Sequence, residues 1–479
     1  MDALYIIFDY DWIYYALMTI YAVTVIVILC VIVSENRNPV KSLAWVTVLL
    51  LLPLVGVVLY LFFGRSIKNT RMISRRNRRR LMRAERASAG TGDEMLSESA
   101  LQQVRLAKSL TSSPLYYGNE IRVFTDGATK FAAFEEDLRN AKSYINIQYY
   151  IIQDDNVGNR IADILVERAR AGVAVHIIYD NVGSFDTHRS FFRRMKEAGI
   201  KVYPFFKVSF PPFGTRINWR NHRKICIIDG RVGYVGGMNI ADRYIDGGKN
   251  FERWRDTHLR LTGPAVASLQ YSFAVDWNFM GQSLLEEPVE PDSDEQGDMA
   301  AQLITSGPTA QWSNIAMMYH KAIADARHRV YIQTPYFLPT EGLLKALQTA
   351  ALSRVDVRIM LPRRTDSRLM QYASFSYIGE CLAAGIKVYL YNPGMMHAKT
   401  LIVDDEIVSV GSTNFDFRSF EHNFEANLFV YSQRFTQEMA EIFHRDMCQC
   451  TRLDSATWSR RRRSLKFAES FVRLLSPIL

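Results

Sequence analysis

The chain is 479 residues long, enough for two ordinary domains with further segments. Its formal charge of +9 raises nucleic acid or an anionic membrane as partners. Five cysteines, an odd number in which only Cys448 and Cys450 lie close together, exclude a fully paired disulfide framework and a zinc knuckle. All five read as free thiols in a reducing compartment.

Residues 12–33 and 42–63 are almost entirely apolar. Each stretch is long enough to cross a hydrocarbon core of about 30 Å at about 1.5 Å per residue. Pro53 and Gly56 are compatible with a spanning helix. The acidic start (Asp2, Asp9, Asp11) and the lack of a small-residue cleavage site argue against a signal peptide. A two-helix transmembrane hairpin over residues 1–63 is therefore expected. Residues 65–86 then carry nine arginines and Lys68, whereas the loop between the spans holds only Arg37 and Lys41. Positive residues stay on the cytoplasmic side, so the remainder of the chain is expected there. The basic run falls in a juxtamembrane linker, residues 64–115. It also suits anionic headgroups, at about 1 kcal/mol per cation near the surface.

The next two segments, 116–295 and 296–455, repeat one another. Ala-Gly-Ile-Lys-Val-Tyr occupies both 198–203 and 384–389, and the strand-like 144–148 resembles 330–333, each ending in glutamine. Both halves read as strand, helix, strand, helix, strand and then a hairpin, which is layered α/β architecture. A duplicated half places equivalent residues across a pseudo-twofold axis. The first half has extra residues around 205–213, rich in phenylalanine and proline. They are expected either to form an apolar lip that dips into a leaflet or to pack against the other half. The tail, 456–479, interleaves arginines with Leu465, Phe467, Phe471 and Leu474. That pattern suits an amphipathic helix lying in a membrane interface or against the protein's own surface.

One spacing occurs once in each half. His222 is followed by Lys224, Asp229, Gly236, Gly237 and Asn239, and His397 by Lys399, Asp404, Gly411, Ser412 and Asn414. Two histidines allow one to attack a phosphorus while the other protonates the leaving oxygen. His222 and Lys224 share a strand face, as do His397 and Lys399. Ile225 and Ile227 in one copy, and Leu401 and Val403 in the other, are expected on the opposite, core-facing side. Asp229 and Asp404 fall at hairpin turns and are expected to hold backbone or a basic residue rather than to carry protons. The lysines, Asn239, Asn414 and backbone at Gly237 and Ser412 would cradle a phosphoryl group in its charged transition state. Side chains supply the cations, so no metal and no cofactor is expected. Each histidine also needs an acceptor for its second ring nitrogen, which fixes the tautomer. Asp256 and Glu425 occupy equivalent places after the two motifs and are the candidates.

These motifs resemble the phospholipase D superfamily, whose signature is His-x-Lys-x4-Asp with a downstream Gly-Gly or Gly-Ser and Asn. The chain as a whole is similar to the two-motif bacterial cardiolipin synthases. That similarity rests on the N-terminal hairpin, on Asn38-Pro39 and Leu43-Ala-Trp45, and on Trp254-Arg-Asp256-Thr-His. The resemblance implies two layered αβα domains behind a transmembrane hairpin in the bacterial inner membrane. It implies transfer of a phosphatidyl group between two phosphatidylglycerol molecules, with His222 as nucleophile and His397 as acid and base. A hydrolase, or a transferase with another acceptor such as phosphatidylethanolamine, would carry the same motifs. A nuclease or a non-catalytic membrane scaffold fits less well: the apolar spans argue against the first, the intact motifs against the second.

Overall fold

The computed structural model of the chain describes residues 11–34, 39–60, 68, 70–87, 96–206, 219–285, 287, 297–474 and 476. The chain divides into two compact units, an N-terminal one within residues 1–66 and a large one that begins at Ile67.

In the N-terminal unit, Asp11–Ser34 is one helix, and among the described residues it alone is long and apolar enough to cross a membrane. The second expected span is not a single helix. Pro39–Leu51 and Pro53–Leu59 are separate helices that meet at Leu52, whose φ of −125° and ψ of 74° lie outside the helical region. The cause is Pro53, which lacks an N–H and pushes the residue before it out of the helical region. A Cβ at Gly56 would come within 2.8 Å of the Val48 carbonyl oxygen, so glycine lets the two pieces close on one another. Trp45 and Tyr60 then meet edge to face at 5.3 Å. Residues 61–63 lie outside the described residues.

The large unit is built on a sheet of 15 strands. At its centre, Tyr116–Phe124 and Met299–Ser306 pair antiparallel, and the two halves diverge from this seam. On one side follow His258–Thr262, Val232–Gly236, Ile225–Ile228, Tyr144–Tyr149, Ala174–Asp180 and Lys201–Phe205. On the other follow Glu425–Tyr431, Ile407–Gly411, Thr400–Val403, Arg329–Gln333, Asp356–Pro362 and Lys387–Tyr391, with Cys450–Arg452 at the edge. The spatial order is the same in both directions, as a pseudo-twofold at the seam requires. Buried Asn119 ties that seam together, donating to the carbonyls of Tyr116 and Met299 at 2.9 and 3.0 Å.

The two repeated sequence signals have local reasons. In each shared hexapeptide the glycine, Gly199 or Gly385, takes a φ near +88° to end a helix before the next strand starts. Ile200 and Ile386 then donate back to Met195 and Cys381 at 3.1 and 3.0 Å. The paired glutamines are buried ligands: Gln148 donates to Asp276 at 2.5 Å, and Gln333 to Asp446 at 2.8 Å. Each aspartate sits on the helix that follows its half's last central strand, Val266–Phe279 or Gln433–Met447.

Those two helices and the sheet enclose one core shared by both halves, which contains Ile225, Ile227 and Ile402. Each half has a further core on the other face of the sheet. Here the expectation for the second motif fails. Leu401 and Val403 pack in the outer core, and Ile402 turns to the shared one. Leu401 and Val403 have the same parity as His397 and Lys399, so alternation places them with those residues.

Two further segments bear on the expectations. Within the stretch assigned to the linker, Glu98–Thr111 forms a helix that buries Ala100, Val104 and Ala107 in the outer core of the second half. Phe205 is buried and Phe206 half-buried, both packed against Phe279 and against Phe424 of the other half, which is the second of the two expected arrangements. Phe210 to Phe213, the rest of that feature, lie outside the described residues.

Candidate active site

The approach to each histidine is a short parallel pairing between the halves. Asn221 bridges to Phe424, with the His222 N–H donating to the Phe424 carbonyl at 2.9 Å. In the second copy Met395–Met396 pairs with Trp254–Arg255, and the His397 N–H donates to the Arg255 carbonyl at 2.7 Å. In both cases the residue that follows the accepting carbonyl is the candidate acid of the opposite half. The histidine–acid pairs are therefore crossed. His222 Nδ1 lies 3.0 and 3.1 Å from the two oxygens of Glu425, and His397 Nδ1 lies 2.6 Å from Asp256 Oδ2. A carboxylate accepts, so each Nδ1 carries the proton and each Nε2 is left as the reactive nitrogen.

The lysines sit against the same histidines. Lys224 Nζ donates to the His222 carbonyl at 2.6 Å. Lys399 Nζ donates to the His397 carbonyl and stands 2.8 Å from His397 Nδ1. Both ammonium groups, both histidines and both acids are buried. Burial pushes the His397 imidazole down to about 4, with Lys399 adding to the fall and Asp256 opposing it. Burial lowers His222 as well, against the pull of Glu425. It carries Lys399 down to about 8 and Lys224 well below the usual lysine range. For the carboxylates burial acts upward but is outweighed. Lys399 and His397 hold Asp256 below the usual range, and His222 and Lys224 do the same for Glu425. The resting site therefore combines neutral imidazoles with ionised acids.

The glycine–serine difference between the copies has a steric origin. A Cβ at Gly237 would stand 2.1 Å from Asp256 Oδ1, so the backbone there must be bare. In the second copy Ser412 Oγ donates to Glu425 Oε2, fixing the longer carboxylate under His222. Asn239 is oriented by a donated bond to the Tyr244 hydroxyl at 2.6 Å and accepts from the Ile151 N–H at 3.0 Å. Asn414 is buried and leaves its Oδ1 without a partner among the described residues.

Asp229 and Asp404 stand apart from this constellation. Each occupies a turn at positive φ, 53° and 50°. Asp229 accepts from the N–H groups of Lys142, Ser143 and Tyr144 at 2.7, 2.7 and 2.8 Å. Asp404 accepts from Arg327, His328 and Arg329 at 2.9, 2.7 and 3.0 Å. Both clamp the start of the neighbouring strand, which orients the hairpin that carries the histidine.

Aromatic walls around the site had no place in the motif reading. Tyr150 meets His222 edge to face at 4.9 Å, and its ring lies 5.2 Å from Lys224 Nζ. Trp254 and Tyr244 flank His397 at 5.3 and 6.0 Å. The repeat could not reveal Tyr244, because the equivalent place after Asn414 is Ser419.

The chain is similar to known proteins over most of its length. The family described as "Cardiolipin synthase, PLD-like domain" matches residues 134–277 and 319–447, and "Phospholipase_D-nuclease N-terminal" matches 18–65. Cardiolipin synthase 2 of Bacillus cereus is 39% identical over 469 residues, covering 96% of this chain and 91% of the relative. The major cardiolipin synthase ClsA of Bacillus subtilis is 37% identical over 481 residues, covering 96% and 98%. Among solved structures, the phosphatidylserine synthase of Haemophilus influenzae superposes with a TM-score of 0.60 at 14% identity. It covers 79% of this chain and all of that one, a likeness of fold alone.

Proposed function

The chain belongs to the cardiolipin synthase family with phospholipase D-like domains, and from that premise we propose that it joins two phosphatidylglycerol molecules into cardiolipin and glycerol. The observation that carries the mechanism is the crossed pairing of His222 with Glu425 and of His397 with Asp256.

In the first step Nε2 of His222 attacks the phosphodiester phosphorus. The bond from phosphorus to the glycerol headgroup oxygen breaks, and His397 gives that oxygen a proton. Lys224, Lys399, Asn239 and Asn414 offset charge on the phosphoryl oxygens. The phosphatidyl group now sits on His222, whose Nδ1–H remains held by Glu425. In the second step His397 takes the proton from a headgroup hydroxyl of another phosphatidylglycerol. That oxygen attacks phosphorus, and the bond to His222 breaks. Such acid–base help is worth roughly 10²- to 10⁴-fold. A bound phosphodiester also brings negative charge to the imidazoles, which raises their proton affinity and lets His397 carry its proton. The N-terminal hairpin anchors the enzyme in the bacterial inner membrane as a multi-pass protein. The excess of arginines after it supports a catalytic unit on the cytoplasmic side.

The test uses purified protein in phosphatidylglycerol vesicles with a chelator present, following lipid products and free glycerol. Cardiolipin with matching glycerol, lost in His222→Ala and in His397→Ala, supports the reading. Phosphatidic acid as the main product would make the enzyme a hydrolase. Turnover only after phosphatidylethanolamine is added would change the acceptor.

A further inference from the structure

The basic run after the hairpin does more than set charge. Arg75–Ala87 is a helix, and its docking on Val266–Phe279 is fixed by Asn77 donating to Asn278 at 3.0 Å and by the buried side chain of Leu81. Between its first turn and the rest of the large unit lies a cavity of about 490 Å³. Arg71, Arg75 and Arg78 line it, and among the described residues no carboxylate pairs with any of the three.

The electrostatics of this arrangement are unfavourable without a ligand. A helix N-terminus carries about half a positive charge and favours anions. Here the first turn has no acidic residue and presents arginines instead. Cations at the positive end of a helix repel it, unless an anion sits between them. The opposite wall is more closed. Ser272 is buried, lines the cavity, and its Oγ has no hydrogen-bond partner among the described residues. Met72 and Val275 make part of the lining apolar, which a free inorganic ion would not use.

The floor of the cavity adjoins the catalytic machinery without belonging to it. Arg223 lines the cavity, pairs with Asp276 at 2.5 Å, and donates through Nε to the Glu425 carbonyl at 3.2 Å. Its neighbour His222 is held by the carboxylate of that same Glu425. We propose that this cavity is a second, non-catalytic site that binds the phosphate of an anionic phospholipid headgroup between Arg71, Arg75 and Arg78. The occupant cancels the repulsion at the helix start and lies one residue from the nucleophile's backbone.

Photolabelling tests this directly. The full-length protein in neutral detergent is irradiated with a phosphatidic acid analogue that carries a diazirine near its headgroup, and labelled peptides are mapped. Label is expected in the peptides holding residues 70–78 and 266–276. Combining Arg71→Gln, Arg75→Gln and Arg78→Gln should lower it at least about tenfold. The control Arg76→Gln, Arg79→Gln and Arg83→Gln removes equal charge from exposed positions off the cavity and should leave it unchanged. Val275→Glu, which keeps every arginine and adds a carboxylate to the wall, should also abolish it. Equal loss in both triple variants, or label that survives Val275→Glu, would overturn the site. Displacement by millimolar inorganic phosphate would overturn the lipid assignment.

Discussion

His222 and Glu425 lie in opposite halves of the duplicated fold, yet the imidazole Nδ1 sits within 3.0 and 3.1 Å of both carboxylate oxygens. His397 and Asp256 repeat the relationship in the other direction. Neither half can complete a histidine–acid pair alone, so the site exists only at the seam. Glu425→Gln keeps the size of the side chain but removes the charge that steadies the imidazolium. Activity is expected to fall by about 10²- to 10⁴-fold with little change in melting temperature. Steady-state kinetics beside thermal unfolding checks this, and activity near that of the unaltered enzyme would show that Glu425 only packs.

The pH dependence follows from which groups must be charged. His222 attacks as the neutral base, so turnover falls as pH drops through its lowered value. At the other end, Lys399 has been brought down to about 8, and it loses the charge that faces the phosphoryl group as pH rises past that point. Because His397 holds its proton only with substrate bound, the profile to follow is that of kcat, which is expected to be bell-shaped with its alkaline limb near 8. Lys399→Arg keeps the cation at any accessible pH and should move that limb upward, even where the maximum rate is lower. An alkaline limb in the same place would assign it to another group.

Gly237 and Ser412 should respond differently to the same kind of change. Gly237→Ala drives a methyl into Asp256, which stands 2.1 Å from the Cβ position, and so displaces the carboxylate that holds His397. Ser412→Ala removes one donor from the buried Glu425, a loss of roughly 1.5–3 kcal/mol for a hydrogen bond to a charged group. The glycine variant is expected to be nearly inactive, and the serine variant slowed by about tenfold to a hundredfold. Equal activities in the two variants would contradict the steric account.

Much of this was legible in the sequence because duplication turned a common residue into an uncommon coincidence. The spacing after His222 and His397, the equivalence of Asp256 and Glu425, and the turn position of Asp229 and Asp404 all depend on local offsets. The crossing of the pairs was not legible. It arises where Asn221 meets Phe424 and Met396 meets Arg255, contacts between distant segments that no local pattern encodes. The kink at Leu52 could have been read from Pro53, since proline restricts the residue before it. Leu401 and Val403 were placed on the wrong side by a parity count that the strand itself corrects.

Asp229 offers a contrast with the buried acids. Three backbone N–H groups converge on its carboxylate, and among the described residues no hydrogen bond ties it to either histidine. Asp229→Ala should cost about 1.5–3 kcal/mol of stability. Protein that remains folded should keep most of its turnover. Denaturant unfolding together with activity per folded molecule separates the two effects. A variant that unfolds normally but is inactive would place Asp229 in the chemistry.

The C-terminal helix Arg463–Arg473 shows how a tail can satisfy two expectations at once. One face docks on the protein: Val472 is buried in the core of the second half, and Arg461 pairs with Glu469 at 2.6 and 2.9 Å. The other face leaves Phe467, Phe471 and Leu474 exposed at 75, 59 and 75%. Phenylalanines at i and i+4 on a docked helix that also carries exposed Arg463 suit an anionic interface. Phe467→Ser with Phe471→Ser should raise the apparent KM for phosphatidylglycerol in vesicles several-fold. It should leave unchanged the rate on short-chain phosphatidylglycerol dispersed as monomers. The transmembrane anchor keeps the enzyme at the vesicle in both cases, so only the seating of the catalytic unit is measured. An equal change on both substrates would mean that the phenylalanines support the fold, and no change on either would mean that they do not touch lipid.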